Sequence, residues 1–405
     1  MTSADTPSFT LLHLSDLHFG QDRGEATARF DQKLVTRALL EDVQQLVKEG
    51  LKPDHIVLTG DVAFSAQPEE YKAASAWLRE LCRECGLETS RLLMVPGNHD
   101  VDRKKVLETR AAKHAHQEAR KAPQAELDYY LEHHKELEMS VWPKLQAYAS
   151  FATSLEAPSI TAEHPFWRAE LTNPFGKPVV ALGLNTCLLS FDGTDAPSNL
   201  ALGLGQLQRA FEKLPEDALV LALLHHPPEW LLDGNPGNST RAEHALSTFL
   251  QKHPHVLLVG HVHQQGGLVS HPLHTGGLLR FVAGAGHEAA QEGGKHAYAW
   301  MRLHAEGIHF YPRMWNAERQ HFQPEANRFE LEKGQQYTLI KRSKLADKLE
   351  KWLAIPQSRT ADSGSQQDIG DERQIRDSQQ RFFDYNGLKL YMEQKPICKQ
   401  PVSTK

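Results

Sequence analysis

The chain is 405 residues long, 40% hydrophobic and 24% charged, with a formal net charge of -6. It has material for a large packed core and no global positive field to hold nucleic acid or an anionic membrane. Four cysteines exclude a disulfide framework, and no apolar run approaches the roughly 20 residues of a membrane span. The N-terminal MTSADTPSFTLLHL lacks the basic start and long apolar run of a signal peptide, so a soluble cytoplasmic protein is the expectation.

In chain order, short runs rich in Leu, Val and Ile predict strands at 9–14, 55–59, 91–95, 179–184, 219–224 and 256–260. A later group at 278–284, 298–304 and 308–315 suggests another sheet. Helical spacing falls at 31–49, which stops at Gly50, and at 69–85 and 205–214. Cys82 and Cys85 form a lone CxxC inside a helix and read as structural; a zinc knuckle needs a second pair. Asn238 begins a sequon that reads as a loop. Residues 104–156, rich in Lys, Glu, Ala, His and Gln, form a helical insertion. Alternation of this kind predicts a layered α/β domain.

After 315 the pattern changes. Residues 316–355 read as a small α/β extension with a hairpin around Gly334 and a helix over 343–354, and residues 356–405 as a polar linker and tail. The extension is a candidate for binding a protein partner or for self-association. No repeat at a fixed period is visible.

Five predicted strands end in metal-type residues: LLHLSDLH, VLTGDV, LMVPGNHD, ALLHHPP and LLVGHVH. Loops at strand ends are held by a rigid scaffold and can converge on one site. Asp16 and His18 are two apart, so in extended backbone both leave the same face; His261 and His263 repeat that spacing. Gly60, Gly97 and Gly260 each precede a candidate ligand, which suits a positive φ or a close backbone approach. Carboxylate, imidazole and amide oxygen together suit Mn²⁺, Fe²⁺, Co²⁺ or Zn²⁺ better than a thiolate site or a calcium cage. Two such ions against Asp16 and Asp61 leave a positive centre that attracts an anion, with phosphate the obvious candidate.

These motifs in this order, DxH at 16–18, GD at 60–61, GNHD at 97–100, a His near 225 and GHxH at 260–263, resemble the calcineurin-like metallophosphoesterase superfamily over roughly residues 9–315. The closest likeness is to its bacterial cyclic-nucleotide and glycerophosphodiester branch. The resemblance implies a four-layer α/β/β/α sandwich of two mixed sheets flanked by helices, with 1–315 as the catalytic domain and 104–156 as a cap-like insertion. It implies that Asp16, His18 and His263 hold one divalent ion, that Asn98, His225 and His261 hold a second, and that Asp61 bridges them. His226 competes with His225 for its place. A water activated between two metals then attacks phosphorus in line. His99 stabilises the transition state or protonates the leaving alkoxide, and Asp100 orients His99.

Most of the 23 histidines have no part in this chemistry. His114, His116, His133 and His134 read as a solvated face of the insertion. The glycines at 284, 286, 293 and 294 match no nucleotide-binding fingerprint, with His287 a weak candidate for lining the site. The basic block Arg103–Lys121 reads chiefly as an exposed helix face, with recruitment of a phosphate-bearing substrate as the functional alternative. The expected activity is metal-dependent hydrolysis of small phosphodiesters such as cyclic nucleotides. The alternative is a metallonuclease acting on DNA or RNA with a partner protein, and a metal-free scaffold is a third class disfavoured by the full ligand set.

Overall fold

A computed structural model describes residues 7–21, 26–197, 199–231, 243–263, 266–270, 278–287 and 295–354. The sequon at Asn238, the glycines at 293 and 294, and the tail expected at 356–405 lie outside them. The elements run β1 (Ser8–Leu14), α1 (Ala26–Lys48), β2 (His55–Leu58), α2 (Pro68–Cys85), β3 (Leu92–Met94), α3 (Lys104–Leu107), α4 (Arg110–Lys121), α5 (Gln124–Glu132), α6 (Val141–Ser154), β4 (Phe166–Glu170), β5 (Val179–Leu184), α7 (Leu204–Phe211), β6 (Leu219–Leu223), α8 (Glu243–Leu250), β7 (His255–Val259), β8 (Gly266–Ser270), β9 (Leu278–Val282), β10 (Ala297–His304), β11 (Gly307–Asn316), β12 (His321–Pro324), β13 (Thr338–Lys341) and α9 (Asp347–Leu353).

Local signals explain α2 well. Pro68 opens it, the Glu70 carboxylate accepts the Gln67 backbone N–H at 2.9 Å, and Gly86 closes it at a left-handed φ of 67°. Tyr71, Ala74, Leu78, Leu81, Cys82 and Cys85 form its buried stripe, so the CxxC lines the core, where burial pushes the two thiols up to about 11 and about 12.

Two mixed sheets stack at the centre. The first has the order β12-β11-β10-β1-β2-β3 with β13 paired to β11, and the second β4-β5-β6-β7-β9-β8. Strand β6 shows how layers arise. Leu219, Leu221 and Leu223 enter the core shared with the first sheet, whereas Val220, Ala222 and Leu224 meet Leu207 and Phe211 of α7 and Leu246 and Leu250 of α8. Helices α1 and α2 cover the first sheet from its other side, with Val35, Leu39, Leu78 and Leu81 in the core. The fold is therefore the four-layer α/β sandwich.

Long-range pairing corrects three expectations. The late strands form no sheet of their own: β9 continues the second sheet beside β7, while β10 returns to the first, where Met301 pairs with Leu11. An apolar run marks a strand without naming its partner. Around Gly334 the chain turns back on itself, with Gln335 N–H to Glu332 O and Glu332 N–H to Tyr337 O both at 2.8 Å, but the strand that follows, β13, pairs with β11, Ile340 opposite Ile308. Residues 321–353 also continue the first sheet and its core through β12, β13, Leu349, Trp352 and Leu353, so no break in packing marks residue 315.

The 104–156 block contains α3 to α6. Its anchor is a set of buried basic side chains: on α6, Lys144, which burial lowers to about 7, donates from Nζ to Leu188 O at 2.7 Å and Ser190 O at 2.8 Å. On α4, Arg120 reaches Asp192 at 3.0 Å and Asp195 at 2.5 Å. His116, expected on a solvated face, is fully buried, its Nε2 2.7 Å from Met139 O and its ring stacked on Phe191. Helical spacing located its face but could not tell that loop 188–195 would cover it.

Candidate active site

Strands β1, β2 and β3 run parallel with Leu14 level with Leu58 and Leu58 level with Met94, and in the other sheet Leu223 of β6 is level with Leu258 of β7. All five therefore release their following loops at one edge, the usual place for a site in such sheets. The loops are tied together by Asp16 N–H to Gly60 O and His18 N–H to Asp61 O, both 3.0 Å, and by Gly260 N–H to His225 O at 3.0 Å.

The two-residue spacings do not work as extended backbone. Asp16, His18, Asp61, His261 and His263 all have positive φ, between 50° and 69°. They are five of the eleven non-glycine residues in that region among the described residues, so strain is concentrated at this edge. Of the three glycines, Gly60 has the positive φ, +97°. Gly97 and Gly260 are needed for close approach: a Cβ on Gly97 would stand 2.1 Å from Asp61 Oδ1, and one on Gly260 2.1 Å from Ser15 Oγ.

The structure brings together every residue expected in the site except Asp100. Asp16, His18 and His263 present ligand-type atoms within 4.8 Å of one another, as do Asp16, Asp61 and His225. His263 Nε2 stands 3.2 Å from Asp16 Oδ1. Asp61 Oδ2 lies between two imidazoles, 3.5 Å from His18 Nε2 and 3.2 Å from His225 Nε2. His225 Nε2 is also 3.0 Å from Asn98 Oδ1 and 3.2 Å from His261 Nδ1, while its Nδ1 is fixed on Thr59 O at 2.8 Å. His226 turns its Nδ1 to Thr186 Oγ1 at 2.9 Å, and its ring lies 4.4 Å from that of His261.

Asp100 does not orient His99. Its carboxylate accepts backbone N–H groups of Val62, Ala63 and Gly97 at 3.2, 2.9 and 2.9 Å and the Tyr71 hydroxyl at 3.2 Å, which locks the loops after β2 and β3 together. Burial, then Asp61, raises its carboxyl to about 7. His99 is fixed instead by Phe64, whose carbonyl lies 2.7 Å from Nδ1, and its backbone N–H donates to Asp61 Oδ1 at 2.7 Å. Neighbours in sequence here face different elements. His287 proves to be a support: its N–H donates to Asp16 O at 3.1 Å, and its carbonyl lies 3.2 Å from His18 Nδ1. Gln32, whose Nε2 donates to His18 O at 2.8 Å, joins Thr59, Phe64 and Thr186 as supporting residues that carry no metal-type side chain and so gave no signal in the sequence.

Electrostatically the edge is a cluster of carboxylates and imidazoles. Burial opposes the charge on Asp61, yet His225, then His99 and His18, hold its carboxyl well below the usual range; His263 and then His225 lower that of Asp16 against the same burial. Burial lowers His99, Asp61 opposes, and Arg103 adds to the lowering, which places that guanidinium within electrostatic reach of His99. Arg103 Nη1 would stand 2.7 Å from a Cβ on Gly193. The nearby acids Asp192 and Asp195 are taken by Arg120, and Arg103 makes no ion pair among the described residues.

Residues 9–265 match the family model for the calcineurin-like phosphoesterase. One similar protein is a cAMP/cGMP dual specificity phosphodiesterase of Mycobacterium tuberculosis (strain CDC 1551 / Oshkosh), 35% identical over 96 residues that cover 23% of this chain and 28% of that protein. Another is a glycerophosphodiester phosphodiesterase of Enterobacter lignolyticus (strain SCF1), 33% identical over 90 residues, 22% of this chain and 29% of that protein. The chain thus aligns with less than a third of either relative. Among solved structures, a 5'-nucleotidase from Candida albicans SC5314 matches at a TM-score of 0.41 and 9% identity over 78% of this chain and 55% of that one. The family match spans well over half of the chain and contains all five strand-end motifs, and the chain belongs to the calcineurin-like phosphoesterase family, hydrolases of phosphoesters that work with divalent metals.

Proposed function

We propose that this chain is a phosphodiesterase that uses two divalent ions to hydrolyse small phosphodiesters such as cyclic nucleotides. The observation that supports it most is Asp61 Oδ2 standing between His18 and His225, at 3.5 and 3.2 Å, with Asp16, His18 and His263 gathered on one side and His225, His226 and His261 on the other. The donor set fits borderline dications. Asp16 Oδ1 is buried without a well-aligned hydrogen bond, and no lysine or arginine bonds either carboxylate among the described residues. Asp16, His18 and His263 would hold one ion, Asn98, His225 and His261 the other, with Asp61 shared. His225 suits this better than His226 because Thr59 fixes its Nδ1 and turns Nε2 to Asp61 and Asn98.

Ions held there would supply Lewis acidity at the phosphoryl group. The chain does the rest. Strained loops hold the ligand side chains in place before substrate arrives. With Nδ1 committed to the Phe64 carbonyl, His99 is left Nε2 to exchange a proton with the leaving oxygen. Arg103, uncompensated beside Gly193, attracts the anionic substrate. Both similar proteins act, by their names, on phosphodiesters, which favours a diester.

The test is hydrolysis of bis(p-nitrophenyl) phosphate and of 3',5'-cyclic nucleotides by chelator-stripped protein before and after addition of Mn²⁺. Metal-dependent cleavage of the aryl diester and of a cyclic nucleotide is expected. Cleavage of neither overturns the reading, and cleavage of labelled DNA or RNA alone would replace it with the nuclease.

A further inference from the structure

Among the described residues, one group of metal-type side chains lies apart from the strand-end edge: His304, Glu306 and His309, where β10 turns into β11. His304 pairs with Gly307 across a two-residue turn, and Arg302 pairs with His309, so His304 and His309 occupy the same face as diagonal neighbours. Glu306, in the turn itself, reaches both. Its Oε1 lies 2.6 Å from His309 Nε2 and 3.7 Å from His304 Nδ1.

Two details set this group apart from an ordinary surface ion pair. His304 Nδ1 is buried and has no hydrogen-bond partner, which the His309–Glu306 contact does not explain. The His309 ring is held flat against Tyr337, centroids 4.2 Å apart and planes 2° apart, next to strand β13, where Leu339 pairs with His309. One imidazole is therefore pre-oriented while the other offers an unused nitrogen.

The spacing suits a tetrahedral ion. Bonds of about 2.0–2.2 Å to nitrogen and oxygen separate neighbouring donors by roughly 3.3–3.5 Å. The 3.7 Å contact is already close to that, and the 2.6 Å contact opens by under about 1 Å with a small swing of Glu306, whose side chain is 52% exposed. Two imidazoles and a carboxylate are a zinc donor set, and the exposed side of Glu306 leaves the fourth position to water. The neighbouring cation, Arg302, directs its guanidinium to Thr10 Oγ1 and Gly50 O, each at 3.3 Å.

We propose that His304, Glu306 and His309 form a separate, non-catalytic site for one Zn²⁺ ion, which clips the β10–β11 turn. The site is independent of whatever the strand-end edge binds, and so is its test. Full-length protein is stripped with chelator, dialysed against Zn²⁺ and then zinc-free buffer, and its metal counted by plasma mass spectrometry. Glu306→Gln, His304→Asn and His309→Gln should each hold one zinc equivalent fewer than wild type and lose the zinc-induced rise in melting temperature. Glu306→Gln alters an exposed side chain, so a folding failure cannot mimic the result there. The same difference of one equivalent is expected in an Asp61→Asn background, which separates the turn from the strand ends. Equal zinc content in wild type and Glu306→Gln, or a difference that vanishes with Asp61→Asn, overturns the proposal.

Discussion

At the strand ends, Asp16, Asp61, His18 and His225 are buried with no lysine or arginine bonded to any of them among the described residues, whereas the wall of α4, α6 and loop 188–195 buries Lys144 and Arg120 with partners for each. Both regions bear a desolvation cost. In the wall it is met internally, by Asp192, Asp195 and two carbonyls, so those charges fix α4 and α6 in place. At the edge the two carboxylates meet imidazoles and the backbone N–H groups of His99 and His261 but no lysine or arginine among the described residues, an arrangement that a cation completes. Burial of charge alone does not identify a site; charge left without its counterpart does.

That contrast predicts opposite phenotypes. Asp61→Asn removes the carboxylate proposed to be shared by two ions, and turnover of an aryl phosphodiester should fall by about 10²–10³-fold or more, with a loss of bound metal visible by mass spectrometry. The melting temperature of the metal-free protein should change little by comparison. An unchanged metal content would break the assignment of Asp61 as the bridge. Lys144→Ala should do the reverse. It opens a cavity and strands the Leu188 and Ser190 carbonyls, for a loss of about 3 kcal/mol in chemical denaturation with turnover per folded molecule retained.

The wall should also respond to acid. Burial, then Lys144, lowers the His116 imidazole from 6.5 to about 2. Its folded pKa lies below the unfolded one, so the unfolded chain holds more protons between those values. Stability from this group is therefore full above pH 6.5 and falls as pH drops, by up to about 1.4 kcal/mol per unit. His116→Gln keeps a donor for Met139 O and removes the titration. Its unfolding free energy should decline less than that of wild type between pH 6.5 and 5, and parallel curves would show that His116 is not held neutral.

The two regions were unequally legible in the sequence. A glycine before a metal-type residue at the end of an apolar run reports a chemical need, and Asp61, Asn98 and His261 could be placed from it. The local backbone could not be read, because a two-residue spacing implies a shared face only while a strand persists, and β1 ends at Leu14, two residues before Asp16. Asp100 shows a similar gap: adjacency to His99 suggested contact, but the turn sends it to the amides of Val62, Ala63 and Gly97. In the wall, the surface reading of His116 failed because the loop that covers it lies some 70 residues further along the chain. Strand partners were hidden for the same reason, so β10 was assigned to the wrong sheet although its existence was plain.

Arg103 sharpens the comparison at the smallest scale, because it joins the wall in sequence yet resembles the edge in making no ion pair among the described residues. If its charge serves substrate, Arg103→Ala should raise KM for a phosphodiester about tenfold, the loss of one charge-assisted contact of roughly 1.4 kcal/mol, and leave kcat within about twofold. Arg103→Lys should recover part of the loss, since charge is kept while the planar fork is not. Weakened competition by inorganic phosphate in Arg103→Ala would place the effect on anion binding and not on folding. A fall in kcat with KM unchanged would instead put Arg103 in the transition state beside His99. A change in melting temperature with neither kinetic constant altered would return it to the wall.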